Sequence, residues 1–360
     1  MPIMSVRAAA LLSLLVCACA ALPAHAAESA APIAAAQAAN VAADPADSNA
    51  EWAIRAGDTR LRVRIENPPD PARVAELRRW IGECANAALT SSGRFPLRDA
   101  LVRIRLVPRR GRDASPVPWG QTRRDDGVSV LLYVRDDASY QELRDDWTAV
   151  HELSHLMHPY LGDDGRWLAE GLASYYQNVS RARAGLLDGD EAWRRIEAGF
   201  QRGRKVGAGA RMDQIERSRG STMRVYWAGA AFWLDADLAL RREQRTDLDR
   251  VLARYASCCL DDDARLQPED FVAALDRAGG NGVLARLYRR YAAMQDFPSQ
   301  DEAYRALGLQ RADDGTLRFS NQPDALRLRR AIIAPRTLKR GELKPRHASI
   351  PPFADRQRSA

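Results

Sequence analysis

Cysteine is scarce in this chain of 360 residues, which contains only five. Cys17 and Cys19 lie in an apolar N-terminal segment, so three remain for the folded part: Cys84, Cys258 and Cys259. Three thiols are too few for a disulfide scaffold, and no Cys-x-x-Cys pair among them suggests a thiolate metal site. In an oxidising compartment Cys84 could pair with Cys258 or Cys259, and buried unpaired thiols are the alternative.

The chain also lacks a strong excess of one charge, and no segment after the N-terminal one approaches the roughly 20 apolar residues that a membrane span needs. The formal net charge is +7, and acidic residues are interleaved with arginines along most of the sequence. We therefore expect no nucleic-acid partner and no stable membrane insertion of the mature protein. The basic excess concentrates late, in 327–330 and 336–346, where a solvated tail or contact with an anionic surface are the alternatives.

The first 26 residues have the pattern of a secretory signal. Arg7 provides a positive charge, 8–22 is apolar and uncharged, and an Ala-His-Ala sequence ends at Ala26. A signal peptidase reads small residues at those two alanine positions, so we expect cleavage after about Ala26 and a periplasmic or secreted protein. An uncleaved membrane anchor and a lipid-modified Cys19 are the alternatives.

The remaining chain has three parts. Residues 27–50 are rich in alanine and are predicted to form a flexible leader. Residues 51–308 are predicted to form one catalytic domain of the α+β class, because a small sheet with one helix is followed by a run of helices. Residues 309–360 are predicted to be a basic, loosely ordered tail.

Hydrophobic periodicity predicts the elements of that domain. Apolar residues alternate with polar ones in three strands: 60–66, 100–107 and 127–134. We interpret 127–134 as an ordinary sheet strand, with a strand that edges a substrate cleft as the alternative. Helical spacing is found at 71–89, 147–157, 168–180, 190–202, 222–242, 248–256, 268–278 and 282–294.

A His-Glu-Leu-Ser-His sequence at 151–155 provides the central chemical motif. Residues four apart in a helix lie on the same face, so the imidazoles of His151 and His155 can reach one ion. Glu152 points in another direction and can sit beside the open coordination position. The chain has only five histidines, which makes the pattern fairly specific. Two hydrogen-bonded histidines on a helix face are the structural alternative.

A catalytic zinc normally has three protein ligands and one open position, so a third ligand is needed. The candidates are His158, Asp163, Asp164 and Glu170. Glu170 lies in a segment with a helical apolar pattern, and a buried carboxylate needs a compensating cation. This desolvation argument favours Glu170. Ser174, one turn later, is a candidate to orient a ligand histidine, with helix surface as the alternative.

The sequences at 151–155 and at 167–171, Trp-Leu-Ala-Glu-Gly, resemble the gluzincin zinc metallopeptidases, which include the aminopeptidase N and glycyl aminopeptidase types. The resemblance implies that Glu170 is the third zinc ligand. It also implies a thermolysin-like zincin fold, with a small N-terminal sheet followed by a mainly helical part. The Tyr-Trp-Ala-Gly sequence at 226–229 is similar to the family's Tyr-x-Lys-Gly segment, which implies that the Tyr226 hydroxyl stabilises the transition state. A core tyrosine is the alternative.

The sequence departs from the aminopeptidase N type at three points. Only fourteen residues separate His155 from Glu170, Ala228 replaces the usual lysine, and no Gly-x-Met-Glu-Asn segment is found. That segment anchors a free amino terminus in the family, so aminopeptidase specificity is not supported. The resemblance covers about 119–308.

The sequence as a whole predicts an exported peptidase that binds one Zn²⁺ per chain through His151, His155 and Glu170. Glu152 is the expected general base, Tyr226 the expected oxyanion donor, and a peptide or protein the expected substrate. A non-peptidase zinc hydrolase and a catalytically inactive binding module with the gluzincin fold are the alternatives.

Overall fold

The computed structural model describes residues 50–111, 114–125, 127–215 and 220–336. The predicted signal peptide, nearly all of the predicted leader and the chain after 336 lie outside these residues. None of the helices within the described ranges is both long enough and apolar enough to cross a membrane.

A five-stranded mixed sheet forms the first half of the fold. Its strands are β1 (Glu51–Ala56), β2 (Thr59–Glu66), β3 (Asp99–Val107), β4 (Trp119–Arg123) and β5 (Ser129–Arg135), arranged in the order β1-β2-β3-β5-β4. The three central strands β2, β3 and β5 run parallel, while β1 and β4 pair antiparallel at the two edges. Strand β5 is therefore an interior strand, and β4 is the edge strand on its side.

Helix α1 (Pro71–Leu89) makes the crossover that the parallel pair β2 and β3 requires. Asp70 caps its N-terminus by accepting hydrogen bonds from the backbone of Ala72 and Arg73, and Pro71 occupies the first turn, where it costs no hydrogen bond. The helix buries Trp80 in the hydrophobic core. Its bounds coincide with the prediction.

Helices make up the rest of the fold. They are α2 (Tyr140–Asp145), α3 (Thr148–Ser154), α4 (Arg166–Arg183), α5 (Gly189–Arg204), α6 (Thr222–Glu243), α7 (Leu248–Cys258), α8 (Pro268–Leu275), α9 (Val283–Ala292) and α10 (Asp301–Leu307). A 3-10 turn, His155–Met157, continues α3, and a π-helical turn, Asp276–Gly280, continues α8. A sheet followed by helices confirms the predicted α+β class.

Helices α4 and α6 touch backbone to backbone at two glycines. A Cβ on Gly229 would lie 2.0 Å from the carbonyl oxygen of Trp167, and a Cβ on Gly171 would lie 2.3 Å from the carbonyl carbon of Gly229. No other residue type fits at either position without moving a helix. The crossing thereby sets the distance between Glu170 on α4 and Tyr226 on α6.

Residues 309–336 correct the prediction of a loosely ordered tail. They form a hairpin of β6 (Leu309–Arg311) and β7 (Leu317–Phe319), followed by α11 (Pro323–Ile333). Basic residues fasten this segment: buried Arg329 donates to two backbone carbonyls, and Arg336 pairs with buried Asp249 at 2.7 Å. Arg329 and Arg336 are therefore bound by the protein, whereas the side chain of Arg327 stays exposed and pairs with Asp324 of the same helix. The tail after 336 lies outside the described residues.

The cysteines do not form the long-range disulfide considered above. Cys84 is buried in α1 and free, whereas the adjacent Cys258 and Cys259 are joined by a 2.01 Å S–S bond at the exposed end of α7. Cys84 lies in the core, while its two possible partners lie at the surface. Burial raises the pKa of the Cys84 thiol far above its usual range.

Candidate active site

Helix α3 presents the two predicted histidines on one face. His151 lies in its last turns and His155 begins the 3-10 turn that continues it. The His151 side chain is only 3% exposed. Asp146 accepts a hydrogen bond from the backbone N–H of Thr148 at 2.7 Å and so caps the start of this helix.

Glu170, in the first turns of α4, completes a group of three converging side chains. Its Oε2 lies 3.3 Å from Nε2 of His151 and 3.6 Å from Nε2 of His155. One ligand atom from each of the three residues lies within 4.8 Å of the others. The structure therefore brings together the three residues that the sequence analysis names as metal ligands. Neither His158 nor the two aspartates of the following loop belong to this group.

The electrostatics of the group fit a shared cation. Burial alone would raise the pKa of Glu170, but hydrogen bonds from His151 and His155 hold it well below its usual range. Burial by itself would lower the pKa of His151, and Glu170 and Glu152 reverse that effect and raise it. The carboxylate is thus kept charged in a partly buried place, where a cation compensates it.

The outer nitrogens of both histidines are oriented by partners. Nδ1 of His151 lies 2.8 Å from Oε1 of Gln177, seven residues after Glu170 and therefore two turns along the same face of α4. Because Nδ1–H donates to this amide oxygen, Nε2, which hydrogen-bonds Glu170, is the nitrogen left to bind an ion. Such outer partners set the tautomer and direction of metal-binding imidazoles. Ser174 does not have this role, and sequence analysis missed Gln177.

His158 performs the same task for His155 through a short relay. Nδ1 of His158 lies 2.6 Å from the carbonyl oxygen of Pro159, which can only accept, so this nitrogen carries the proton. Nε2 of His158 is then an acceptor, and it lies 2.9 Å from Nδ1 of His155. His155 must donate through Nδ1, so its Nε2, which faces Glu170, is the nitrogen left to bind an ion. Burial lowers the pKa of His158 and keeps it neutral.

Glu152 is buried beside this group and lies against the edge strand β4. The hydroxyl of Thr122 lies 3.0 Å from Oε2 of Glu152 and 2.9 Å from its backbone carbonyl oxygen. Gly120 leaves the space that the carboxylate chain occupies, since a Cβ there would lie 2.6 Å from Cγ of Glu152. Strand β4, which the sequence analysis did not identify, therefore sets the position of the predicted general base.

Tyr226 lies on the other side of the group. Its ring stacks on the imidazole of His151 with the centroids 5.8 Å apart and the planes 6° from parallel. Burial raises the pKa of the Tyr226 hydroxyl, and the negative charge of Glu170 raises it further. The hydroxyl is therefore protonated at neutral pH and can donate a hydrogen bond.

A cavity of about 480 Å³ opens in front of these side chains. Strand β4 forms one wall, and Glu152, His155, Glu170 and Tyr226 line the inner end. Its volume falls in the range of small-molecule and peptide-side-chain sites, about 300–1,000 Å³. The ligand set, the carboxylate and the tyrosine thus face one solvent-accessible space.

Comparison with known proteins gives information about the fold. No protein-family model and no curated protein matches the sequence. The aminopeptidase N family protein from Idiomarina loihiensis has a similar structure, with a TM-score of 0.52 and 15% identity over 76% of this chain and 52% of that one. The M1 zinc metallopeptidase from Deinococcus radiodurans follows with a TM-score of 0.43 and 14% identity, over 69% of this chain and 52% of that one.

The first of these matches shows a shared fold and no more, because its identity is low. The second has a TM-score too low to carry an argument. The chain spans about half the length of either structure. The predicted gluzincin-like fold is therefore confirmed: this chain shares the fold of about half of the aminopeptidase N family protein.

Proposed function

We propose that the chain is a zinc-dependent peptidase that hydrolyses peptide bonds, with His151, His155 and Glu170 as its metal ligands. The observation that carries this proposal is the convergence of the three side chains, each histidine having its outer nitrogen oriented by a dedicated partner. A pair of histidines that only stabilised a helix face would need neither the buried carboxylate nor the relay from His158.

The donor set fits zinc. Two imidazole nitrogens and one carboxylate oxygen form the three-ligand set typical of catalytic zinc, which leaves one position open for water or substrate. When bound, zinc supplies Lewis acidity: it lowers the pKa of water towards neutrality and polarises a carbonyl group. The charged state of the Glu170 carboxylate and the neutral tautomers of the histidines are the states that such binding requires.

The surroundings of Glu152 support a role as the general base. It lies one residue after His151, faces the cavity and is held at its carboxylate by the Thr122 hydroxyl. We infer that it accepts the proton of the attacking water and later delivers it to the nitrogen of the leaving amine. Gly120 contributes by leaving room for this side chain.

The surroundings of Tyr226 support a role as the oxyanion donor. Its protonated hydroxyl can donate to the substrate carbonyl oxygen as that oxygen gains negative charge. The removal of one such donor typically costs about 3–4 kcal/mol of barrier. The close crossing of α4 and α6 at Gly171 and Gly229 would keep this hydroxyl at a constant distance from Glu170.

The edge strand supports a peptide rather than a small ester or amide as substrate. Within the described residues, β4 pairs only with β5, and it forms a wall of the cavity. An extended peptide can add to such an edge by main-chain hydrogen bonds, which would align it along the catalytic side chains. The predicted signal at 1–26 further supports an extracytoplasmic substrate, and N-terminal sequencing of the mature protein tests that location.

The test combines metal analysis with peptide hydrolysis. We expect about one zinc per chain in the parent and in Glu152→Gln, with hydrolysis only in the parent. Glu170→Ala should lose the zinc. Equal hydrolysis by the parent and Glu152→Gln would remove Glu152 from the mechanism. Stoichiometric zinc with no hydrolysis of any peptide would instead favour the inactive binding module.

A further inference from the structure

A second cavity, of about 250 Å³, lies on the His151 side of the catalytic residues. It shares Tyr226 with the larger cavity, and Gln177, the hydrogen-bond partner of His151, forms part of its wall. A group bound there would therefore lie next to the reacting bond of a substrate held at the metal ligands. The mechanism proposed above does not use this cavity.

Three arginines line the second cavity: Arg181, Arg195 and Arg202. Arg195 is partly neutralised, because its Nε donates to Glu191 at 2.9 Å. Among the residues that the structure describes, no aspartate or glutamate side chain lines this cavity. Its wall is therefore cationic.

Arg181 gives the strongest indication of an anion site, because it is buried and some of its donors have no hydrogen-bond partner. It is 1% exposed, and its Nη2 donates to the backbone carbonyls of Arg144 and Asp145. Its Nε and Nη1 are buried without a hydrogen-bond partner in the described part of the chain, as is the hydroxyl of Ser174 on the same wall. Buried donors of a charged group are costly to leave unpaired, so this arrangement calls for an acceptor with negative charge.

Arg202 provides a second charge in the wall of this cavity. Its guanidinium lies over the ring of Trp227, 5.1 Å from the ring centroid. Burial lowers the pKa of both Arg202 and Arg181, and the charge of Arg195 lowers that of Arg181 further. Each of these effects would be relieved by an anion between the arginines.

We propose that this cavity binds a carboxylate of the substrate beside the scissile bond, either an acidic side chain or the free carboxyl terminus of the peptide. The inference rests on the proposed peptidase function and adds a substrate class to it. Arginine donates charge-assisted hydrogen bonds to carboxylates, and Arg181 has buried donors without a partner at Nε and Nη1. The cavity is smaller than a typical drug-sized site, which suits one side chain, and Trp147 and Trp227 give it apolar walls for the methylene groups.

The test measures binding separately from turnover. N-acetylated, C-amidated alanine hexapeptides, each with a single Glu or Gln at one position, are titrated into zinc-loaded Glu152→Gln protein. We expect Glu to bind about tenfold more tightly than Gln at one position, the factor that one hydrogen bond to a charged group contributes. A second arm compares peptides that end in a free carboxylate with their amides. A preference there identifies the carboxyl terminus as the source of the carboxylate.

Two variants in the Glu152→Gln background decide whether the cavity causes the preference. Arg202→Gln should reduce the carboxylate preference to less than about threefold, whereas Lys205→Gln, which removes one charge from the exposed C-terminal end of the same helix, should retain it. Arg181→Gln is a second variant, checked for folding by circular dichroism. No carboxylate preference in either arm, or a preference that survives both arginine changes, overturns the inference. Peptide hydrolysis by the parent tests the proposed function independently, since a parent that cleaves neutral and acidic peptides equally well refutes only the carboxylate pocket.

Discussion

Gly120→Ala is expected to displace the general base while leaving the metal ligands in place. The new Cβ would lie 2.6 Å from Cγ and 3.1 Å from Cδ of Glu152, and 3.0 Å from Cγ2 of Thr148. Carbon atoms prefer separations of about 3.5–4.0 Å, so the Glu152 side chain must move by about 1 Å. That movement also removes its carboxylate from the Thr122 hydroxyl, 3.0 Å away in the parent.

A displacement of about 1 Å at a reacting group can cost about a hundredfold in rate, which corresponds to about 2.7 kcal/mol of barrier. The assay is kcat/KM for a fluorogenic peptide, with zinc content and the far-ultraviolet circular dichroism spectrum measured on the same samples. We expect about one zinc per chain, an unchanged spectrum and a loss of about a hundredfold in kcat/KM, mostly in kcat.

Gly82→Ala is the matched control. Gly82 lies in α1, and a Cβ there would meet no atom within 4 Å. The change should leave kcat/KM unaltered and raise the free energy of unfolding by up to about 1 kcal/mol, because alanine favours a helix over glycine. A Gly120→Ala protein that kept its zinc and lost less than threefold in kcat/KM would refute the role of strand β4 in setting Glu152.

Three further substitutions test the His158 relay, the crossing of α4 and α6, and the buried Arg183–Asp249 ion pair. His158→Phe removes the acceptor that orients His155, so the zinc dissociation constant, measured by chelator competition, should rise about 10–100-fold, and an unchanged constant would contradict the relay. Gly229→Ala places a Cβ 2.0 Å from the Trp167 carbonyl oxygen; we expect the free energy of unfolding in urea to fall by about 1–3 kcal/mol and kcat to fall with it. Asp249→Ala leaves buried Arg183 without its 3.0 Å ion-pair partner and should cost about 3–5 kcal/mol of stability, with no loss of zinc from the folded protein.

The sequence predicts those features of the fold and the site that depend on residues only a few positions apart. The four-residue spacing of His151 and His155 predicts their common face in any helix. Asp70 and Pro71 mark the start of α1, which begins as predicted. Glu170 could be singled out because a carboxylate among apolar residues needs a cation.

The missing parts of the site depend on contacts between distant segments. The Trp-Gly-Gln-Thr-Arg sequence of β4 has little β-branched or aromatic alternation, and it becomes a strand by pairing with β5. Without that strand, the roles of Gly120 and Thr122 next to Glu152 could not be foreseen. Gln177 was within reach, because its seven-residue spacing from Glu170 places both on one face of α4.

The prediction of a loosely ordered tail was wrong for residues 309–336 for a related physical reason. Composition does not distinguish an arginine that is solvated from one that donates to buried carbonyls, as Arg329 does. Composition likewise does not show that Arg181 is buried. Its helix has an amphipathic pattern, and only the structure shows that its guanidinium is buried beside the catalytic residues.

The proposed chemistry depends on one ion that His151, His155 and Glu170 bind together. Anomalous diffraction at the zinc absorption edge, from crystals of the zinc-loaded protein, tests it most directly. We expect a single strong peak within bonding distance of Nε2 of both histidines and of the Glu170 carboxylate. A peak that excludes Glu170, or zinc bound only elsewhere on the protein, would contradict it.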